Sequence, residues 1–335
     1  MHDESISSAN EMVETDPADD HSIERRDLFR GAGTLAAWFA GANLSAAEST
    51  SRTDEVPEAK PGPPLPLVSF GKHKVTRLIA GANPIYGYSH FNYVFSAHMG
   101  EYHTTDRVLS FLRQLERAGL NTWQASWSER LETDWLKYKD LGGKLRLLVL
   151  SRPDFNDRPE ILPRVMKLQP MGIAQHGVST NRFWDARQFD RSLDYLKRIR
   201  DAGAMVGLSC HNPLEVEYAE EKGWDVDYYM TALYYMLRPR AEFEKVLGEV
   251  PLGEIYLPSD PPRMMQAIRK ASKPCLAYKV LAAGRTVNSP EQVKERIGVA
   301  LNGIKPGDAI IIGLYQRFND QIGQTAQFVR EILAA

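Results

Sequence analysis

Beyond residue 66 the chain repeats one pattern. A short apolar, β-type run is followed by a longer segment whose apolar positions recur every three to four residues. Short unbroken apolar runs suit strands buried on both faces, and the longer period suits amphipathic helices. The runs are LNTWQAS from Leu120, LRLLVLS from Leu145, MGIAQH from Met171, AMVGLSC from Ala204, VDYYMTALY from Val226, PCLAYKVL from Pro274 and DAIIIGL from Asp308. Before them, PLVSFGKHKVTRL reads as a hairpin turning at Gly71-Lys72 and leading into a further strand, VTRLIAG. Helical periodicity covers 104–118, 129–140, 158–167, 185–202, 213–222, 240–247, 261–272, 290–301 and 319–333. Pairs such as Ala118-Gly119 and Ala202-Gly203 stop helices just before strands.

Regular alternation of strand and helix predicts βα units on a parallel sheet, and eight units predict an α/β fold of the (β/α)8 TIM barrel type with an N-terminal β-hairpin. EIYLPSD near Glu254 is a ninth strand candidate, read as an excursion after strand six. A doubly wound sheet would need fewer strands and a glycine-rich loop after the first, and GANPIYG is not that loop.

The first 66 residues do not share the pattern. IERRDLFRGAGTLAAWFAGANLSAAES carries Arg25-Arg26, an apolar pair and a base, then a weakly hydrophobic run ending in small residues. It resembles a twin-arginine export signal, so residues 1–47 are expected to be a signal region that engages the twin-arginine translocation machinery. The expected location is the periplasm or cell surface. The run is short and polar for a membrane anchor, so no stable span is expected in the mature protein. GAGTLA inside it fits the loose dinucleotide-loop pattern, but no strand precedes it. Residues 48–66, polar and proline-rich, read as a disordered linker, which leaves 67–335 as one barrel domain.

With 25% charged residues and a net charge of -2, the chain has no basic footprint for nucleic acid or an anionic membrane. The two cysteines, Cys210 and Cys275, fall at opposite ends of their runs, which predicts about 15–20 Å between them and two free thiols.

Barrel chemistry gathers at the C-terminal strand ends. Those ends carry Asn83, Gln124, Ser126, Ser151, Arg152, Gln175, His176, His211, Asn212, Thr231, Tyr234, Lys279, Tyr315 and Arg317. The first βα loop, NPIYGYSHFNYVFSAHMGEYH, adds His90, His98 and His103 and reads as a long aromatic lid without its own periodicity. His176 is either a site residue or a histidine satisfied at a strand end. Alternation lets only one of Gln175 and His176 face the barrel axis. His211 competes with a loop-capping role beside Asn212-Pro213. Lys279 lies in the apolar run CLAYKVLAA, where a buried ammonium needs a counter-charge. It would hold an anionic group, or work with a depressed pKa as acid, base or imine former, or form a structural ion pair.

Taken in order, FGKHKVTRLIAGANPIYG, RAGLNTWQAS, GIAQHG, VGLSCHN and IIIGLYQRFNDQIGQT resemble the aldo-keto reductases. The resemblance implies a barrel floored by the hairpin and an Asp, Tyr, Lys and His set around NADP(H), with Tyr315 and Arg317 on the cofactor side. Of that set only the histidine is matched, by His176. Gln124 stands at the aspartate position, ASWSERLE has no tyrosine, and Ser151-Arg152 replaces the lysine. Without its tyrosine the family's reduction lacks a general acid.

The expected function is therefore an exported barrel enzyme with changed chemistry, acid–base or metal-assisted, on a small polar, carbohydrate-like substrate. His176, Lys279 and Arg152 are the catalytic candidates. Asn83, His90, His103, Gln124, His211, Asn212 and Tyr234 are the substrate-binding ones. NADP(H) or a divalent metal stays open as cofactor, although no HExxH or CxxC spacing supports a metal. The alternatives are a reductase with Tyr86 or Tyr102 as relocated proton donor, and a non-catalytic sugar-binding protein.

Overall fold

The computed structural model describes residues 58–335. Residues 1–47, expected as a signal region, and residues 48–57 lie outside the described residues. The hairpin forms as β1 (Leu67–Phe70) and β2 (His73–Thr76), antiparallel, with Gly71 at φ 54 in the turn. Eight parallel strands then close a barrel: β3 (Leu78–Gly81), β4 (Thr122–Ser126), β5 (Arg146–Leu150), β6 (Gly172–Gln175), β7 (Met205–Cys210), β8 (Tyr228–Ala232), β9 (Cys275–Tyr278) and β10 (Ala309–Gly313). β10 pairs with β3 and closes the ring, so no barrel strand is left with an open edge.

Both faces of every barrel strand are buried, one against the helices and one inside. The interior cluster takes Ile79, Leu148, Ala174, Tyr228, Met230, Leu276 and Ile311, and Phe70 of the hairpin packs into it from the floor. Their neighbours Leu78, Leu147, Ile173, Tyr229, Cys275 and Ile310 belong to the layer between sheet and helices. Glycine is required at Gly172 and Gly207, because a Cβ there would run into the Tyr228 ring. That ring fills the barrel beside Phe70, with centroids 4.9 Å apart.

The helices are α1 (Tyr93–Tyr102), α2 (Thr105–Arg117), α3 (Glu129–Asp140), α4 (Leu162–Lys167), α5 (Gly177–Asp185), α6 (Ser192–Asp201), α7 (Pro213–Glu221), α8 (Arg240–Leu247), α9 (Asp260–Lys270), α10 (Pro290–Gly303) and α11 (Gln321–Ala334). Among the described residues none is long and apolar enough to cross a membrane.

Three expectations need correction. The first βα loop is not structureless, because Asn92 N-caps α1 by accepting from the Phe95 amide at 2.8 Å. The segment expected as one helix from 185 to 202 is two, broken where Arg187 takes a positive φ of 55. The first of the two starts at Gly177, with His176 as N-cap. The segment at Glu254 forms no strand, in line with its reading as an excursion after strand six. Within the expected linker, residues 58–66 are docked: Ala59 and Leu65 are buried, and Ala59 N donates to Gln114 Oε1 at 2.9 Å.

Both cysteines are buried and free. Both point outward from the barrel, and Cys210 stands level with Ala277 across β8. Strand spacing then puts them about 12 Å apart, closer than expected, because the strands are offset along the barrel.

Candidate active site

A cavity of about 690 Å³ opens at the C-terminal ends of β9, β10 and β3. Asn83, His90 and Gln124 line it on one side, Lys279 follows β9, and Leu314 and Tyr315 follow β10. α1 contributes Phe95 and Met99, and α10 contributes Val293. Among the described residues Lys279 is the one lysine or arginine in this wall, and no carboxylate joins it.

Lys279 Nζ lies 3.1 Å from His90 Nε2, and His90 Nδ1 lies 2.9 Å from Glu254 Oε1. Asn83 Nδ2 also reaches His90 Nε2, at 3.0 Å. Nε2 therefore faces the amine and the amide, and Nδ1 faces the carboxylate. The Tyr256 hydroxyl donates to Glu254 Oε2 at 2.9 Å and accepts from Lys279 at 3.4 Å. Burial lowers the Lys279 amine to about 8, against an opposing pull from the Glu254 charge. Burial pushes Glu254 upward, but bonds and charge from His90, Lys279 and Tyr256 outweigh it and hold the carboxyl below its ordinary range. Burial, reinforced by Glu254, pushes the Tyr256 phenol far up, so it stays protonated.

Arg285 holds this group together. Its guanidinium donates to the carbonyls of His90 and Glu254 at 3.2 and 3.4 Å. It also lies over the rings of Phe91 and Tyr256, at 4.7 and 4.1 Å. Backbone strain concentrates here as well: His90 (φ 58), Lys279 (φ 61), Ala282 (φ 47) and Ala283 (φ 51) are left-handed. Such conformations cost about 1–3 kcal/mol each and persist where the surroundings over-determine them.

The structure thus brings together Asn83, His90, Gln124, Lys279 and Tyr315. The other sequence candidates stand elsewhere. Gln175 turns outward to Thr180 and Ser192, at 3.2 and 2.8 Å, which leaves His176 as the axis-facing member of the pair. His176 is nevertheless no part of the cavity wall. Its Nδ1 accepts from the Val178 amide at 3.1 Å, and burial, helped by charge from His90, Lys279 and Arg152, lowers it to about 4. Arg152 is exposed and pairs with Asp154 at 3.3 Å.

His211 has both ring nitrogens occupied, by Asn181 Oδ1 at 3.1 Å and the Tyr278 hydroxyl at 3.0 Å. Burial lowers it well below the ordinary range. Asn212 caps α7 in a capping box with Glu215. Tyr234 is buried and packs on Tyr256, with centroids 5.3 Å apart. His103 is buried against Met99 O at 2.9 Å, and burial lowers it to about 4. Arg317 lies over the ring of Tyr102 at 4.7 Å, away from the cavity. Glu254 and Tyr256 escaped the sequence reading because their segment was read only as an excursion after strand six, with no role given to its side chains. The sign that could have found them was the lysine's need for a counter-charge.

Neither cofactor fits these residues. A dinucleotide needs cations or free helix amides for its phosphates. The cavity offers one lysine, and the start of α11 is already filled by its own Asp320, which accepts from Gly323 N at 2.8 Å. The relocated donors fail too. Tyr86 donates to Asp134 at 3.3 Å, Tyr102 donates to Gln316 O at 3.4 Å, and neither lines the cavity. Among the described residues no three His, Cys, Asp or Glu side chains converge as a metal set.

Fold and site together define a (β/α)8 barrel with a lysine-bearing cavity at its C-terminal rim. No family model matches the chain, and no curated protein does. Among solved structures, it is similar to a glycerol dehydrogenase from Gluconobacter oxydans (11% identity, TM-score 0.47, covering 80% of this chain and 95% of that one). It is also similar to a truncated 3-deoxy-D-arabino-heptulosonate 7-phosphate synthase from Thermotoga maritima (14% identity, TM-score 0.45, covering 81% and 92%). A dihydropteroate synthase from Xanthomonas albilineans is a third (13% identity, TM-score 0.45, covering 81% and 97%).

Proposed function

We propose that this protein is an exported barrel enzyme that moves protons on a small carbonyl-bearing substrate, carbohydrate-like in its oxygen content. Lys279 is the acid–base group, His90 and Glu254 set its charge, and Asn83 and Gln124 orient the substrate's oxygens. The observation that supports this most is the Lys279–His90–Glu254 chain, with the amine in the cavity wall at 3.1 Å from His90. An amine that titrates at about 8 is present in both forms near neutrality, as a general base requires. His176, axis-facing and outside the cavity, is uncharged near neutrality and takes no direct part in the reaction. The twin-arginine pattern supports export through that translocation route.

The test is exchange of the hydrogens next to a carbonyl in deuterated water, followed by NMR across hydroxyketones, 2-oxo acids and aldoses. Exchange should rise with pH through a midpoint near 8 and vanish in Lys279→Met. Exchange that is independent of pH, or retained by that variant, would defeat the proposal.

A further inference from the structure

The cavity offers hydrogen-bonding groups along its whole length, and several of them stand unused. Gln124 in β4, Asn288 before α10, Asn319 before α11, and Gln324 and Thr325 on α11 all line it. Among the described residues none of these side chains has a hydrogen-bond partner in the protein. Gln124 and Thr325 are nevertheless buried, at 8% and 3% exposure. A buried amide and a buried hydroxyl left open toward a cavity are groups whose bonding a ligand completes. Apolar side chains are interleaved with them: Phe95, Val293 and Leu314 belong to the same wall. Phe95 meets the Tyr315 ring edge-on at 6.2 Å, and Gln321 Oε1 accepts from the Tyr315 amide at 2.9 Å, so the polar start of α11 stands beside aromatic surface.

Amides and hydroxyls mixed with rings and C–H surface suit a molecule with hydroxyl edges and apolar ring faces, which is the make-up of a sugar. Charge on such a ligand would find no partner away from Lys279, because the rest of the described wall is uncharged apart from the His90 ring. Size sets the number of rings. The cavity measures about 690 Å³. Even at one water's share of roughly 30 Å³ for each non-hydrogen atom, a single hexose displaces about half of that or less. The free groups are also spread apart: β4 and β10 lie two strand spacings from each other, about 10 Å, and Thr325 sits in the helix layer beyond β10. We infer that the substrate is a neutral oligosaccharide of at least two units, its carbonyl-bearing unit against Asn83, Gln124 and Lys279 and its next unit held on the β10 side by Gln324 and Thr325. This rests on the proposed reaction for the location of the carbonyl-bearing unit, and it names the substrate's size and charge within it.

Glucose, maltose, cellobiose, lactose and digalacturonate are the probes, titrated by calorimetry into the full chain at pH 7. At least one of the neutral disaccharides should bind about tenfold or more tighter than glucose, since its second unit adds hydrogen bonds to groups that the fold already desolvates. Digalacturonate, of the same size but with two carboxylates, should bind more weakly than that disaccharide. Thr325→Val keeps the side chain's shape and breaks no bond in the protein. It should weaken the disaccharide about three- to tenfold, at an unchanged thermal midpoint, and leave glucose as it was. Gln324→Ala, at a half-buried position of α11, should act in the same direction. Equal binding of glucose and every disaccharide, tighter binding of digalacturonate, or a disaccharide affinity indifferent to both variants overturns the inference. The expected disaccharide preference without proton exchange on any carbonyl compound would refute the proposed reaction and leave the ligand class intact. Exchange on hydroxyketones or aldoses with no disaccharide preference would do the reverse.

Discussion

Replacing Glu254 by Gln tests the charge arrangement at its source. The Tyr256 hydroxyl is 2.9 Å from Glu254 Oε2 and 3.4 Å from Lys279 Nζ, so carboxylate and amine are no more than about 6 Å apart. At that distance, and an effective dielectric of about 20, their attraction is worth about 3 kcal/mol. Water at the cavity mouth screens part of it, which leaves about 1.5–3 kcal/mol, or one to two pH units. Glu254 favours the charged amine, so its loss must move the Lys279 midpoint downward from about 8. The assay is competitive labelling of amines by acetic anhydride as a function of pH, read by mass spectrometry on the peptide that carries Lys279. Glu254→Gln should shift the labelling midpoint down by at least about one pH unit. Glu331→Gln, whose carboxylate pairs with Lys294 on the surface, should leave it in place. A wild-type midpoint near that of a free lysine, or an upward shift in Glu254→Gln, would refute the reasoning.

Acid should destabilise the fold through its buried imidazoles. Burial lowers His103 to about 4, below its unfolded value of 6.5, so the unfolded chain takes up the proton first. Stability is therefore lost as pH falls from 6.5 toward 4, by about 2.5 kcal/mol for this group at pH 4.5. Urea midpoints should drop over that window and drop less in His103→Gln; a flat profile in the wild type contradicts the assignment. Asn212→Ala should cost about 1 kcal/mol through the lost α7 cap and leave proton exchange unchanged; a selective loss of exchange at unchanged thermal stability would return Asn212 to the site. Gly207→Ala should cost about 1–3 kcal/mol, since its methyl meets the Tyr228 ring in a filled barrel. Pairing it with Tyr228→Leu should recover part of the loss in urea melts, and strict additivity would speak against that contact.

The barrel was legible because its strands are buried on both faces. Runs such as LRLLVLS need no partner to be read as strands, and β5 lies inside that run. Interruptions within helical stretches were harder, because they depend on single φ angles. The break after α5 comes with a left-handed Arg187, a residue type that carries no turn preference of its own. α5 itself begins on a histidine cap, where Ser, Thr, Asp or Asn would have marked the start.

The site was half legible for a related reason. A strand end shows which side chains reach the rim, but it does not show which of them are already consumed. His211, Asn212 and His103 reach the rim or its first loop and are spent on Tyr278, α7 and Met99 respectively. Lys279 was found by the cost of burying an ammonium, and the same argument required a carboxylate without locating it. That carboxylate came from an unpaired segment about 25 residues upstream, reaching the amine through His90 of the first loop. Loop-borne partners escape periodicity because nothing in their own spacing records where the loop folds back. The cavity therefore centres on Lys279, between β9, β10 and β3, and the histidine that the family resemblance marked stands outside its wall.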